Sequence, residues 1–179
     1  MKNKIVKPNP YGALVIDELL AFEKILGVML PKDYREYLID YNGAEFENET
    51  FDITGKENQN SSIHLLYALV NEPEWASLQK VNKFFDGVDL KKEGYLSIGT
   101  DPLGNQILLK LNKKEFGSIY YWDHELPFSD IRTILLKQAT SFTEFILRLR
   151  KAETQEEFLA RLKKENPEEY QAIIEILRV

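Results

Sequence analysis

Apolar and polar residues alternate along residues 94–125 with the period of β-structure. Leu96 and Ile98 stand on one side of Asp101-Pro102-Leu103-Gly104, and Ile107, Leu109 and Leu111 on the other. Alternation at period two predicts strands with one face on a core. Pro102 presets φ and Gly104 allows a positive φ, so the chain must reverse there. A third strand over 118–122 completes three antiparallel strands and two turns. Nearer the start of the chain the period is helical. Ile16, Leu19, Leu20, Glu23 and Leu26 mark one face of a helix over 16–26, with Gly27 as its left-handed stop. Tyr34, Tyr37, Leu38 and Tyr41 recur at helical spacing between Pro31 and Asn42-Gly43. They predict a second helix with an inward tyrosine stripe whose hydroxyls reach the surface.

The remaining elements carry weaker signals. Phe46, Phe51 and Ile53 suggest one or two short strands, the apolar run 63–70 a buried strand, and 74–85 a helix through Leu78, Val81 and Phe85. Ser141 with Glu144, and Thr154 with Glu157, have the spacing of capping boxes; Asn166-Pro167 opens a last helix. Tyr170, Ile173, Ile174 and Leu177 form a stripe that must be buried, either against the domain or in a homodimer. The expected organisation is one domain over 1–150 and a helical extension over 151–179 packed on it.

Composition narrows the function classes. The 179 residues include no cysteine and are 44% apolar, enough for one core. Disulfides and thiolate metal sites are thereby excluded, and a reducing, cytoplasmic setting is expected. No apolar run has the roughly 20 residues of a membrane span. A net charge of −6 disfavours direct nucleic-acid binding and favours a basic partner. Five acids, Glu45, Glu47, Glu49, Asp52 and Glu57, stand between positions 44 and 60 against one base, Lys56. They read as a solvated edge that resists aggregation or as an acidic docking surface.

Two segments together resemble the SUKH superfamily, the domain of fungal Smi/Knr cell-wall regulators and of bacterial immunity proteins. The first is Leu30-Pro31 with Asp33-Tyr34, Tyr37-Leu38 and Tyr41-Asn42-Gly43. The second is Ile98-Gly99, Asp101, Gly104-Asn105, Ile107 and Leu109, followed by Trp122-Asp123-His124-Glu125, with Phe142 and Phe145 beyond. The similarity spans roughly residues 14–150. It implies an α+β fold with a central, mostly antiparallel sheet and helices packed against it. It also implies a binding protein that neutralises a cognate toxin, often a nuclease, or a regulatory scaffold of the cell-wall type.

Enzymatic alternatives find little in the residues. The run 99–106 has the Gly-x4-Gly spacing of a phosphate loop, but Asn105 and Gln106 replace the Lys and Ser/Thr that would meet phosphate and magnesium. Asp123, His124 and Glu125 are ligand types for a metal, yet adjacent residues of an extended chain point to opposite faces. His64 is expected to be packed within its apolar run. No catalytic residue, cofactor or metal site is therefore expected. Tyr120 and Trp122 share the sheet's second face, which is either covered by the Ser141 helix or the C-terminal helices or exposed to a partner. The expected docking residues are Glu45, Glu47, Glu49, Asp52, Tyr120, Trp122, Asp123 and Glu125.

Overall fold

The computed structural model describes residues 5–47, 49–57, 59–84, 90–126 and 134–177. It is an α+β fold around a five-stranded antiparallel sheet. The sheet runs in the order β5 (Leu65–Leu66), β6 (Tyr95–Thr100), β7 (Gln106–Lys110), β8 (Ile119–Trp122) and β9 (Leu135–Ala139). Two small antiparallel pairs flank it: β1 (Ile5–Lys7) with β2 (Glu45–Phe46), and β3 (Thr50–Asp52) with β4 (Asn60–Ser62). The helices are α1 (Ile16–Leu26), α2 (Lys32–Tyr41), α3 (Leu78–Phe84), α4 (Phe142–Arg148), α5 (Gln155–Glu165) and α6 (Pro167–Leu177).

The alternation read along 94–125 is the alternation of the folded sheet. Leu96, Ile98, Ile107, Leu109, Ile119 and Tyr121 join Tyr34, Tyr37 and Leu38 of α2 and Phe142, Phe145 and Ile146 of α4 in one core. Leu108, Tyr120, Trp122 and Leu135 face the other way, onto a smaller cluster with Leu90. Register explains the split, since Ile107 pairs with Tyr121 and Leu108 with Tyr120.

Helix ends are set by residues visible in the sequence. Gly27 stops α1 at φ +74° and Asn42 stops α2 in the left-handed region. Glu23 of α1 is buried and accepts from the Leu30 backbone N–H at 2.9 Å and Arg35 Nε at 3.1 Å, clasping α1 to α2. Asp33 Oδ2 accepts from the Thr143 N–H at 2.8 Å and so ties α2 to the first turn of α4. The Thr154 box forms in full. Its Ser141 counterpart forms by half, because the Glu144 carboxylate turns to the Thr140 N–H and hydroxyl.

Several elements differ from expectation. The run 63–70 gives only the two-residue β5, followed by a Tyr67 N–H bond to the Ile98 carbonyl. The helix expected over 74–85 is a 3-10 turn, Glu74–Ala76, and then α3, because Ser77 accepts weakly from the Lys80 N–H and restarts the helix; Phe85 lies outside the described residues. Strand β9 carries no clean alternation and escapes the pattern. His64 is exposed rather than packed.

Tyr34 and Tyr37 of the tyrosine stripe are buried to their tips, while Tyr41 is half-buried. Tyr37 Oη accepts from the Ala44 N–H at 3.0 Å, whereas the Tyr34 hydroxyl has no hydrogen-bond partner among the described residues and the residue is 0% exposed. Burial raises the Tyr34 pKa well above the ordinary tyrosine value, with the Tyr37 ring adding to it. An orphaned buried hydroxyl costs about 1–3 kcal/mol. Tyr34→Phe should therefore leave the stacked rings intact and raise the thermal midpoint by about 2–4 °C for each kcal/mol relieved. A lowered midpoint in thermal unfolding would show that the hydroxyl does have a partner.

Candidate partner surface

The second face of the sheet is closed. Tyr120 is 8% exposed and Trp122 is 3% exposed, beneath Leu90, Leu135 and Ile134. The expected aromatic patch at Tyr120 and Trp122 is thus part of a core; among the described residues that form it none belongs to α4, α5 or α6, and α4 packs on the opposite face. Only the edge of this face reaches water. Tyr95 meets Tyr120 edge-on, Lys110 sits 3.6 Å from the Tyr95 ring centre, and Lys137 pairs with Glu115 at 2.8 Å. Burial and the neighbouring Glu115 carboxylate both push the Tyr120 pKa upward. Trp75, on the 3-10 turn, is instead 61% exposed and meets Tyr11 edge-on.

The acidic residues lie at the surface, but several already hold a cation. Glu45 pairs with Lys7 at 3.0 Å, Asp52 with Arg150 at 2.6 Å, and Asp123 with Lys56 at 4.0 Å. Exposed pairs of this kind contribute little to stability, yet they cancel local field. Glu47, Glu49 and Glu125 are exposed and have no ion pair among the described residues. The structure splits the expected patch in two. Glu45 and Glu49 share a cleft of about 250 Å³ with His64 and Tyr11. The Lys56 to Asp123 contact instead brings the β3–β4 loop to the end of β8, beside Glu125.

A densely bonded polar cluster lies at the β6–β7 turn. Asp101 is 1% exposed. Its Oδ1 accepts from the N–H groups of Leu103 and Asn105, each at 2.9 Å. Its Oδ2 accepts from Tyr121 Oη at 2.7 Å, Ser61 Oγ at 2.8 Å and Asn105 Nδ2 at 3.0 Å. Desolvation pushes this carboxyl up, but the bonds from Tyr121, Ser61 and Asn105 outweigh it and hold the pKa below the usual aspartate value. The second hydrogen of Asn105 Nδ2 goes to Tyr121 Oη, so Oδ1 is left to accept from His124, whose Nδ1 lies 2.9 Å away. Ser, His and Asp thus occur near one another without forming a nucleophilic relay. The Ser61 proton goes to Asp101, and His124 bonds Asn105. Among the described residues no group of three or more His, Asp or Glu could hold a metal ion.

Gly99 and Pro31 each meet a local geometric demand. Gly99 lies so close to β5 that a Cβ there would sit 2.6 Å from the Leu65 carbonyl oxygen. Pro31 forms the entrance to α2. A mainly apolar cleft of about 310 Å³ opens instead between α1, α3 and the base of the β6–β7 hairpin, where the sequence shows no motif. No helix among the described residues is long and apolar enough to cross a membrane.

Comparison with known proteins agrees with this arrangement. The family model described as SMI1 / KNR4 family (SUKH-1) matches residues 15–148. That span runs from the start of α1 to the end of α4 and stops short of α5. The chain is also 28% identical over 149 residues to the SPbeta prophage-derived uncharacterized protein YokK of Bacillus subtilis (strain 168), covering 74% of this chain and 73% of that protein.

Proposed function

This chain belongs to the SMI1/KNR4 family (SUKH-1), and from that membership we propose that it is a non-catalytic, cytoplasmic immunity protein that binds and neutralises a cognate toxin domain. Residues 1–150 form the binding domain, and 151–179 are a helical appendage packed on it. The observation that carries the reading is the Asp101 cluster. Ser61, Asp101 and His124, which come nearest to a nucleophilic relay, are taken up in holding β4, the β6–β7 turn and the end of β8 together. What such a molecule offers a partner is surface rather than turnover. Prophage origin of a relative supports the same reading, since mobile elements carry genes for competition.

Binding alone would suffice to protect the cell if it covers the toxin's active site. The net charge of −6, with exposed Glu47, Glu49 and Glu125, favours approach to a basic partner such as a nuclease. Docking residues among Glu45, Asp52 and Asp123 would first have to exchange the cations they hold.

Co-expression tests the proposal. Cells producing the toxin domain encoded next to this gene should survive when this chain is produced with it, and the two should co-purify. Neither rescue nor co-purification would overturn the immunity reading and favour a regulatory scaffold, whose gene need have no toxin beside it.

A further inference from the structure

We propose that the cleft between α1, α3 and the base of the β6–β7 hairpin is the anchor pocket of this interface, and that it receives an apolar side chain flanked by carboxylates on the partner protein. The inference rests on the immunity reading and names the surface that reading leaves open.

The cleft has an apolar floor and a positive mouth. Phe22 and Leu26 of α1, Leu96 of β6 and Leu111 line its interior. Lys83 of α3 and Lys91 line it as well, together with Gln79 and Asn112, and among the described residues no acid does. In a chain with 29 acids against 23 bases, such a lining is a local reversal of sign. Lys91 is positioned by its bond to the Ile25 carbonyl at 3.2 Å, which also satisfies a free carbonyl at the end of α1. Lys83 is exposed and makes no ion pair among the described residues.

The surroundings favour a protein over a small ligand. Ile25, itself in the lining, is 56% exposed; Met29 and Phe84, next in sequence to the lining residues Val28 and Lys83, are 70% and 79% exposed. A molecule confined to about 310 Å³ would leave Met29 and Phe84 in water. A protein surface covers them while inserting one anchor, the arrangement in which a few residues carry most of the binding energy. Two lysines at the mouth select carboxylates beside that anchor. Charge of the opposite sign elsewhere on the surface is no obstacle, because long-range steering and local pairing act over different distances.

The test measures affinity of the full chain for the toxin domain encoded by the neighbouring gene, using calorimetry. Ile25→Asp and Lys83→Glu alter exposed side chains and should leave the thermal midpoint almost unchanged. Each should weaken binding by roughly tenfold or more. Leu103→Asp removes another exposed apolar side chain, 79% exposed, at the opposite end of the β6–β7 hairpin, and should bind as the native chain does. Equal loss in all three variants, or in none, would overturn the anchor while leaving the immunity reading intact. A native chain that fails to bind the toxin would overturn both. Unaltered toxin binding with loss of 1-anilinonaphthalene-8-sulfonate binding in the two pocket variants would assign the cleft to a small anion. A native dimer that Ile25→Asp dissociates, again with toxin binding unaltered, would assign it to a second copy.

Discussion

Asp101→Ala should destabilise the protein by about 3–5 kcal/mol at neutral pH, a large part of the stability of a domain this size. The side chain is buried and accepts five hydrogen bonds from three separate stretches of chain. Its removal leaves the Tyr121 and Ser61 hydroxyls and one hydrogen of the Asn105 amide without their acceptor in a largely buried site. Asp101→Asn keeps the shape but turns a donor toward donors, so it should also destabilise, though less. The pH dependence separates charge from shape. Because the folded-state pKa lies below the unfolded value, the charged carboxylate stabilises the fold fully above about pH 4. That contribution disappears as pH falls through the folded value. The stability gap between native and Asn variants, measured by denaturant unfolding, should therefore narrow as pH is lowered below 4. A gap constant from pH 7 to 3 would show that the carboxylate's charge contributes nothing.

The same residue shows what a sequence can disclose. Asp101, Gly104 and Asn105 are legible because a tight turn demands particular residue types at fixed offsets, and the flanking strands then announce themselves by alternation. Tyr34, Tyr37 and Leu38 are legible because a buried helix face has one period. Strand β9 is not, since Leu135, Leu136 and Lys137 follow no clean alternation and Gln138 bonds through both its side chain and its carbonyl to groups outside the sheet. Gln138 accepts from the Thr54 N–H at 3.1 Å, and Arg148 donates to the Gln138 carbonyl at 2.6 Å. Burial of Trp122 was equally hidden. An aromatic on a second sheet face reads the same in sequence whether Leu90 covers it or water does. The lysine-lipped cleft draws on four distant stretches of chain, and no local spacing rule joins Phe22 to Lys83 or Lys91.

Asn42 and Gly43 should prove as sensitive as Asp101, by a different route. Asn42 is fully buried, and its amide pairs with the Leu69 backbone as a neighbouring strand would. Oδ1 accepts from the Leu69 N–H at 2.7 Å, and Nδ2 donates to the carbonyls of Leu69 at 3.4 Å and Gly12 at 3.0 Å. Asn42→Ala deprives three backbone groups of a partner and should cost about 2–4 kcal/mol. Asn42→Asp retains the acceptor but sets a carboxylate oxygen against two carbonyls, so it should be at least as harmful. Equal stability of Asn42→Asp and the native chain would mean that the two carbonyls are satisfied by other donors. Gly43 follows at φ +86°, and a Cβ there would lie 2.9 Å from the Ala68 Cβ and 3.2 Å from the Leu66 carbonyl oxygen. Gly43→Ala thus combines left-handed backbone strain with a collision, together about 2–4 kcal/mol. The two parts can be separated, because Ala68→Gly removes one colliding atom and leaves the strain. In the double variant the combined loss should be smaller than the sum of the single losses by about 1 kcal/mol. Strict additivity would put the whole cost in the backbone and show that the approach of α2 to the 66–69 stretch is looser than the distances imply.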